Sequence, residues 1–213
     1  ESTMKLQHFN PALVLLWIAV AIFATNTALL WDWELDDALI YARYIDNFTE
    51  GNGLVFNPGI KVNGLTSPLF AYLSILVVPF VDDAKNAIML ISALAVVGSM
   101  LVFYKLLGRF FIEEKAAAIS ALLATTAAAS YVNLGMETSL FVLLFGVCLY
   151  CYLKNAHILL GVAVGFLVLT RPEGLLLVPV LAINTFLRGR PWPSWHCYLL
   201  PAAMIAFQLL FNG

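Results

Sequence analysis

Apolar residues run through the chain in long blocks, at 11–31, 67–81, 86–107, 116–133, 138–153, 157–170, 174–187 and 197–211. A hydrocarbon core of about 30 Å needs roughly 17–25 residues of helix, and shorter blocks still cross when flanking residues reach the interface. The blocks therefore predict an all-α protein built from membrane-length helices. Block 67–81 is the ambiguous one. At about 1.5 Å per residue it reaches some 22 Å, and Pro68 and Pro79 bracket it. It reads either as a span or as a re-entrant or juxtamembrane helix. The polar stretch before it has its own period: Leu35, Leu39, Ala42 and Ile45 recur at helical spacing. That pattern predicts an amphipathic helix over 36–49, lying in the interface. Asp36 stands at its start, where the positive helix end favours a carboxylate, and shares one side with Ile40 and Arg43. Gly51-Asn52-Gly53 and Asn57-Pro58-Gly59 are turn sequences. Asn63-Gly64-Leu65-Thr66 leads into Ser67-Pro68, a cap followed by a first-turn proline.

Charge placement chooses between topologies, because Lys and Arg collect on the cytoplasmic side. If 67–81 does not cross and the N-terminus is inside, Lys5, Lys105, Arg109, Lys115, Lys154, Arg188 and Arg190 lie inside, seven against the four outside, Arg43, Lys61, Lys85 and Arg171. If 67–81 crosses, only Lys5, Lys85 and Arg171 remain inside, three against eight. The first arrangement is chosen: seven spans, N-terminus in, C-terminus out, with residues 32–85 as the first extracytoplasmic loop. It also places Asp32, Glu34, Asp36, Asp37, Asp46, Glu50, Asp82, Asp83, Glu137 and Glu173 outside. Composition agrees. Hydrophobic residues make up 62% and charged ones 11%, against about 25% charged in soluble domains. A net charge of -2 offers no basic face, which excludes a nucleic-acid partner. Three cysteines form no disulfide framework. Glu1-Ser2-Thr3 before Met4 reads as a cloning remnant, and the first apolar block is too long for a removable signal peptide.

Each candidate has a plain alternative. Asp36-Asp37 also reads as an N-cap with a first-turn acid, and Arg43 as a surface or headgroup contact. Gly135-Met136-Glu137-Thr138-Ser139 places a carboxylate between two blocks, and Thr170-Arg171-Pro172-Glu173-Gly174 places an opposite-charge pair at another outer end. Ionisable residues at such depth are functional candidates; the alternative is an Arg171–Glu173 pair that stiffens the turn. Cys148 and Cys151 have redox spacing but sit inside an apolar block and read as small packing residues. His8, His157 and His196 are interfacial and lack ligand spacing. Asn47-Phe48-Thr49 is a glycosylation sequon inside the predicted helix. The Ala-rich stretch 116–129 suits close helix packing. No Gly-rich phosphate loop is present.

The string Asp36-Asp37-Ala38-Leu39-Ile40-Tyr41-Ala42-Arg43-Tyr44 continues through Gly51-Asn52-Gly53-Leu54-Val55-Phe56-Asn57-Pro58-Gly59 and Gly64-Leu65-Thr66-Ser67-Pro68-Leu69. Together with Gly135-Met136-Glu137-Thr138 and Thr170-Arg171-Pro172-Glu173-Gly174, it resembles the GT-C superfamily of polyprenyl-phosphate-sugar-dependent glycosyltransferases. The resemblance is to the branch holding the terminal arabinofuranosyltransferases, and covers residues 32–174 in order. Members of that family are longer, so the chain resembles their shared seven-span module, as a piece of a longer protein. The resemblance implies a polytopic GT-C-like helical bundle in a bacterial plasma membrane, its outer loop carrying interfacial juxtamembrane helices and its active site on the extracytoplasmic face.

It also implies a chemistry. A polyprenyl-phosphate sugar is the donor and a glycan or protein hydroxyl the acceptor, which attacks the anomeric carbon with inversion. Asp36 aligns with the first acid of the family pair and is expected as general base, with Asp37 orienting it or raising its pKa by like-charge repulsion. Arg171 and Arg43, and more weakly Lys61, are expected at the donor phosphate; Glu137 and Glu173 complete the substrate site. Glu137 would orient the acceptor or hold a divalent cation, as in some relatives, and metal dependence stays open. Two rivals differ in class. One is a non-catalytic membrane scaffold or lipid-carrier-binding subunit, which the short chain favours and Asp36-Asp37 opposes. The other is a secondary transporter, weakened by the lack of a mid-span acid or inverted repeat.

Overall fold

The computed structural model describes residues 10–32, 35–60, 64–125, 134–189 and 199–212. All regular structure among them is helical. The α-helices are α1 (Pro11–Leu29), α2 (Asp36–Thr49), α3 (Pro68–Val77), α4 (Ala84–Leu107), α5 (Glu113–Thr125), α6 (Thr138–Leu153), α7 (His157–Thr170), α8 (Leu177–Leu187) and α9 (Leu199–Asn212). Two of them, α1 with 19 residues and α4 with 24, are long and apolar enough to cross a membrane. Helix starts follow local chemistry. Asn10 accepts from the Ala12 N–H at 3.0 Å ahead of Pro11, and Asp83 accepts from the Asn86 N–H at 2.7 Å. Each satisfies a donor the first turn would leave open.

Helix α4 is the central post, with α1, α2, α3, α5 and α6 packed on it; α7 lies on α6, and α9 on α7. Side-chain ties fix which helix ends meet. At one end, Trp31 Nε1 donates to Asn86 Oδ1 at 2.7 Å, joining the finish of α1 to the start of α4. Ser92 donates to the Met136 carbonyl at 3.3 Å, adding the start of α6. At the other end, Asn10 donates to Glu113 at 3.0 Å, Arg109 to the Leu153 carbonyl at 2.8 Å, and Tyr152 to Asn184 at 2.9 Å. The first end gathers Asp32, Asp36, Asp37, Asp46, Glu50, Asp82, Asp83, Glu137 and Glu173, nine described acids, against Arg43, Lys85 and Arg171. The second holds Lys105, Arg109, Lys115, Lys154 and Arg188 against Glu113 and Glu114.

The ambiguous block becomes the ten residues of α3 followed by a 3-10 turn at Val78–Phe80. It leaves the acidic end, where Thr66 and Phe70 meet Tyr41, and returns to it at Asp83, beside Asp46. A ten-residue helix is about 15 Å long, half a hydrocarbon core. Ser67 is the residue ahead of Pro68 as expected, but its buried hydroxyl makes no capping hydrogen bond.

Helix α2 has the bounds its period predicts. Its buried face is turned from the expected one: Ala42 and Ile45 are buried as the period implies, but with Ala38 and Tyr41, while Leu39 is 40% exposed and Asp36, Ile40 and Arg43 lie exposed on the opposite side. Asn47 is 2% exposed and donates to the Val55 and Phe56 carbonyls at 2.8 and 2.9 Å, so the sequon asparagine is a structural staple. Cys148 and Cys151 are buried free thiols in the packing of α6, as expected. His157 sits half-buried at the start of α7; His8 and His196 lie outside the described residues.

Candidate functional site

Three stretches far apart in sequence meet at the acidic end: α2, the turn before α6, and the junction after α7. The turn before α6 depends on Gly135, whose φ is +85°. A Cβ there would stand 3.1 Å from the Ala38 Cβ and 3.4 Å from Met89 Sδ. Left-handed backbone without a side chain lets α2 lie close over this turn, and that brings Glu137 beneath Tyr41.

Arg171 follows the last residue of α7 with an extended backbone, φ -151° and ψ 132°. Pro172 accounts for this, because the residue before a proline is pushed out of the helical region. The side chain therefore leaves the line of α7 and reaches α6. Its Nε donates to Glu137 Oε1 at 2.8 Å, and Nη2 lies 2.7 Å from the same oxygen and 3.1 Å from Thr138 Oγ1. Glu137 is 3% exposed. Its Oε2 is buried and has no hydrogen-bond partner among the described residues. The Arg171 side chain is 37% exposed, and Nη1 makes no hydrogen bond among the described residues. Nε and Nη2 are thus fixed on α6, on a side chain that stays partly exposed.

Tyr41 closes the inner side. Its ring meets Phe70 edge-on at 5.2 Å, and its hydroxyl shares a hydrogen bond with Thr66 Oγ1 at 3.2 Å. Burial, and then the negative charge of Glu137, push the phenol well above its ordinary range. Tyr41 stays protonated at physiological pH and acts here as a neutral hydrogen-bonding group, not a base.

The acid pair lies at the rim. Asp36 and Asp37 are exposed in the first turn of α2 and make no hydrogen bond or ion pair among the described residues. The N-cap position is Leu35, so neither aspartate caps the helix. Asp37 precedes Tyr41 by one turn and shares its flank, whereas Asp36 is on the outer side with Arg43. Arg43 is exposed, with Nε 3.4 Å from the Phe56 carbonyl. Glu173 is exposed and is not the partner of Arg171; residues i and i+2 do not face each other. Lys61 lies outside the described residues.

Of the seven residues singled out from sequence, the structure joins Glu137 to Arg171 and sets Asp37 on the neighbouring flank. Asp36, Arg43 and Glu173 stay on outer surfaces. Tyr41, Thr66 and Thr138 belong to the site and were missed. Tyr41 was findable as the i+4 neighbour of Asp37, and Thr138 as the residue beside Glu137. No group of three or more His, Cys, Asp or Glu is gathered closely enough to hold a metal among the described residues.

Among the described residues, fold and site together define an all-helical protein with two candidate membrane spans and a half-buried ion pair under an acidic rim. Comparison of the chain with family models, curated proteins and solved structures gives no match.

Proposed function

We propose that this chain is the polytopic membrane module of a GT-C-type glycosyltransferase that uses a polyprenyl-phosphate sugar on the extracytoplasmic side of a bacterial plasma membrane. The observation that carries the proposal is the Glu137–Arg171 pair beside the Asp36-Asp37 helix start. Residues from three separated motifs converge there, with one guanidinium edge left open. Outward apolar side chains support the membrane placement: Trp17 is 71% exposed, Ile158 74%, Phe186 73% and Leu210 82%. A water-facing monomer rarely carries such surface, and lipid covers it at no cost. Basic residues at one end and acids at the other match an orientation with the site outside.

In this reading Arg171 binds the donor phosphate through its open edge. The acceptor hydroxyl oxygen forms a bond to the anomeric carbon, and its proton passes to the Asp36 carboxylate. The bond from that carbon to the phosphate oxygen breaks, and its electron pair leaves with the polyprenyl phosphate. Inversion needs base and leaving group on opposite sides of the sugar. Asp36, turned away from the Tyr41–Glu137 flank, suits the base; Asp37, on the Tyr41 side of α2, suits an orienting role. A second reading, a lipid-carrier-binding subunit without catalysis, draws on both aspartates being exposed with no hydrogen bond or ion pair among the described residues.

Turnover of a radiolabelled polyprenyl-phosphate sugar by the longest chain containing this module separates the two. Asp36→Asn should lower kcat at least a hundredfold, the scale of general-base catalysis, with donor binding changed less than about threefold. Unchanged turnover removes Asp36 as base; binding without turnover by the unaltered protein supports the subunit.

A further inference from the structure

We infer that the site selects a singly charged phosphodiester over a doubly charged phosphomonoester, and that Glu137 sets this selection. The inference rests on Arg171 as the donor-phosphate ligand and adds which phosphate it keeps. Glu137 Oε1 already takes two contacts from the guanidinium, at 2.7 and 2.8 Å. The pair therefore sums to zero charge. What it offers a ligand is directional, the Nη1 group that makes no hydrogen bond among the described residues on a side chain 37% exposed, with no net positive charge behind it.

The surroundings add more negative charge. Asp37 flanks Tyr41 on α2, and Glu173 follows two residues after Arg171. From the segment before α3 and from α4 the nearby hydrogen-bonding groups are neutral: Thr66 at Tyr41, and Ser92 at the Met136 carbonyl. Of the other described cations at this end, Arg43 lies on the outer side of α2 and Lys85 at the start of α4.

A sugar phosphodiester carries one negative charge. The polyprenyl phosphate left after transfer is a monoester, with a charge of about -1.5 to -2 at neutral pH, its second ionisation lying near 6. A neutral, directional site holds the first through hydrogen bonds. The added charge on the second meets Glu137, which burial leaves little screened, with a smaller contribution from the exposed acids of the rim. Cleavage of the sugar–phosphate bond thus turns a well-held ligand into a poorly held one, and product leaves.

The test uses the purified full chain in detergent with three short-chain polyprenyl probes: the phosphate monoester, its methyl phosphodiester, and the free alcohol as background. The methyl diester has the donor's charge without its sugar, so charge is separated from sugar recognition. Calorimetry at pH 7.5 should find the methyl diester bound about fivefold to tenfold more tightly than the monoester. Glu137→Gln keeps the side-chain shape and gives the pair a net positive charge; it should abolish or reverse that gap. Equal affinities in the unaltered protein, or a gap that Glu137→Gln leaves in place, overturn the selection while leaving phosphate binding at Arg171 intact. The unaltered protein alone is decisive against the idea if the gap is absent, whether or not the variant folds. Neither phosphate binding above the alcohol overturns the phosphate role of Arg171, and this inference with it.

Discussion

Glu137 and Arg171 are coupled by burial. The carboxylate is almost fully enclosed and the guanidinium is its only charged partner among the described residues. Removing one member leaves the other uncompensated, which costs about 3–5 kcal/mol for a fully buried pair. Arg171 is 37% exposed, so water relieves part of this, and Arg171→Ala should cost roughly 2–3 kcal/mol. The double variant Arg171→Ala/Glu137→Gln should recover at least half of that loss, because no buried charge then remains. Thermal unfolding of the four proteins in one detergent closes the cycle. Additive losses would mean that the pair contributes no coupling.

Helix α2 owes its position to two kinds of contact. Ala38, Tyr41, Ala42 and Ile45 bury an apolar face against α3 and α4, and Asn47 and Tyr44 hold the loop that follows. Tyr44 accepts from the Gly64 N–H at 2.9 Å, while Asn47 gives both amide protons to loop carbonyls. Asn47→Ala leaves two carbonyls without those donors, at a cost of about 2–3 kcal/mol. The expected result is a lower Tm and faster proteolysis within 50–60, with α4 and α6 unaffected. In a glycosylating host the folded chain should carry no glycan at Asn47; a glycan-dependent mass shift on folded protein would contradict its burial.

The bundle as a whole separates charge. Both ends of the segment holding α3 lie at the acidic end, so in the proposed membrane orientation the chain should not change sides between α2 and α4. Single cysteines placed at Asp83 and Glu173 in a cysteine-free background should label from outside the cell, and those at Arg109 and Lys154 only after permeabilisation. All four positions are exposed in the fold, so burial will not mask the result. Labelling of position 83 from the cytoplasmic side alone would reverse the orientation, and the proposed site with it.

Much of this was legible along the chain. Apolar block length, the 3.6-residue period of Leu35, Leu39, Ala42 and Ile45, and the pairing of Pro172 with an extended Arg171 are local properties, so sequence alone sets them. Spacing left an Arg171–Glu173 pair open as the alternative, and only the fold set it aside, with Glu173 exposed and Arg171 turned to Glu137. The partner of Arg171 was of another kind. Glu137 is 34 residues away, and the two meet because Gly135 admits α2, Pro172 redirects Arg171, and α6 packs beside α7. The positions of Asp36 and Asp37 differ for the same reason. Adjacent residues on a helix differ by about 100°, and which of them flanks the ion pair depends on the face α2 buries. Helix formation is decided over a few residues, whereas the partner of a buried charge depends on how separate helices pack.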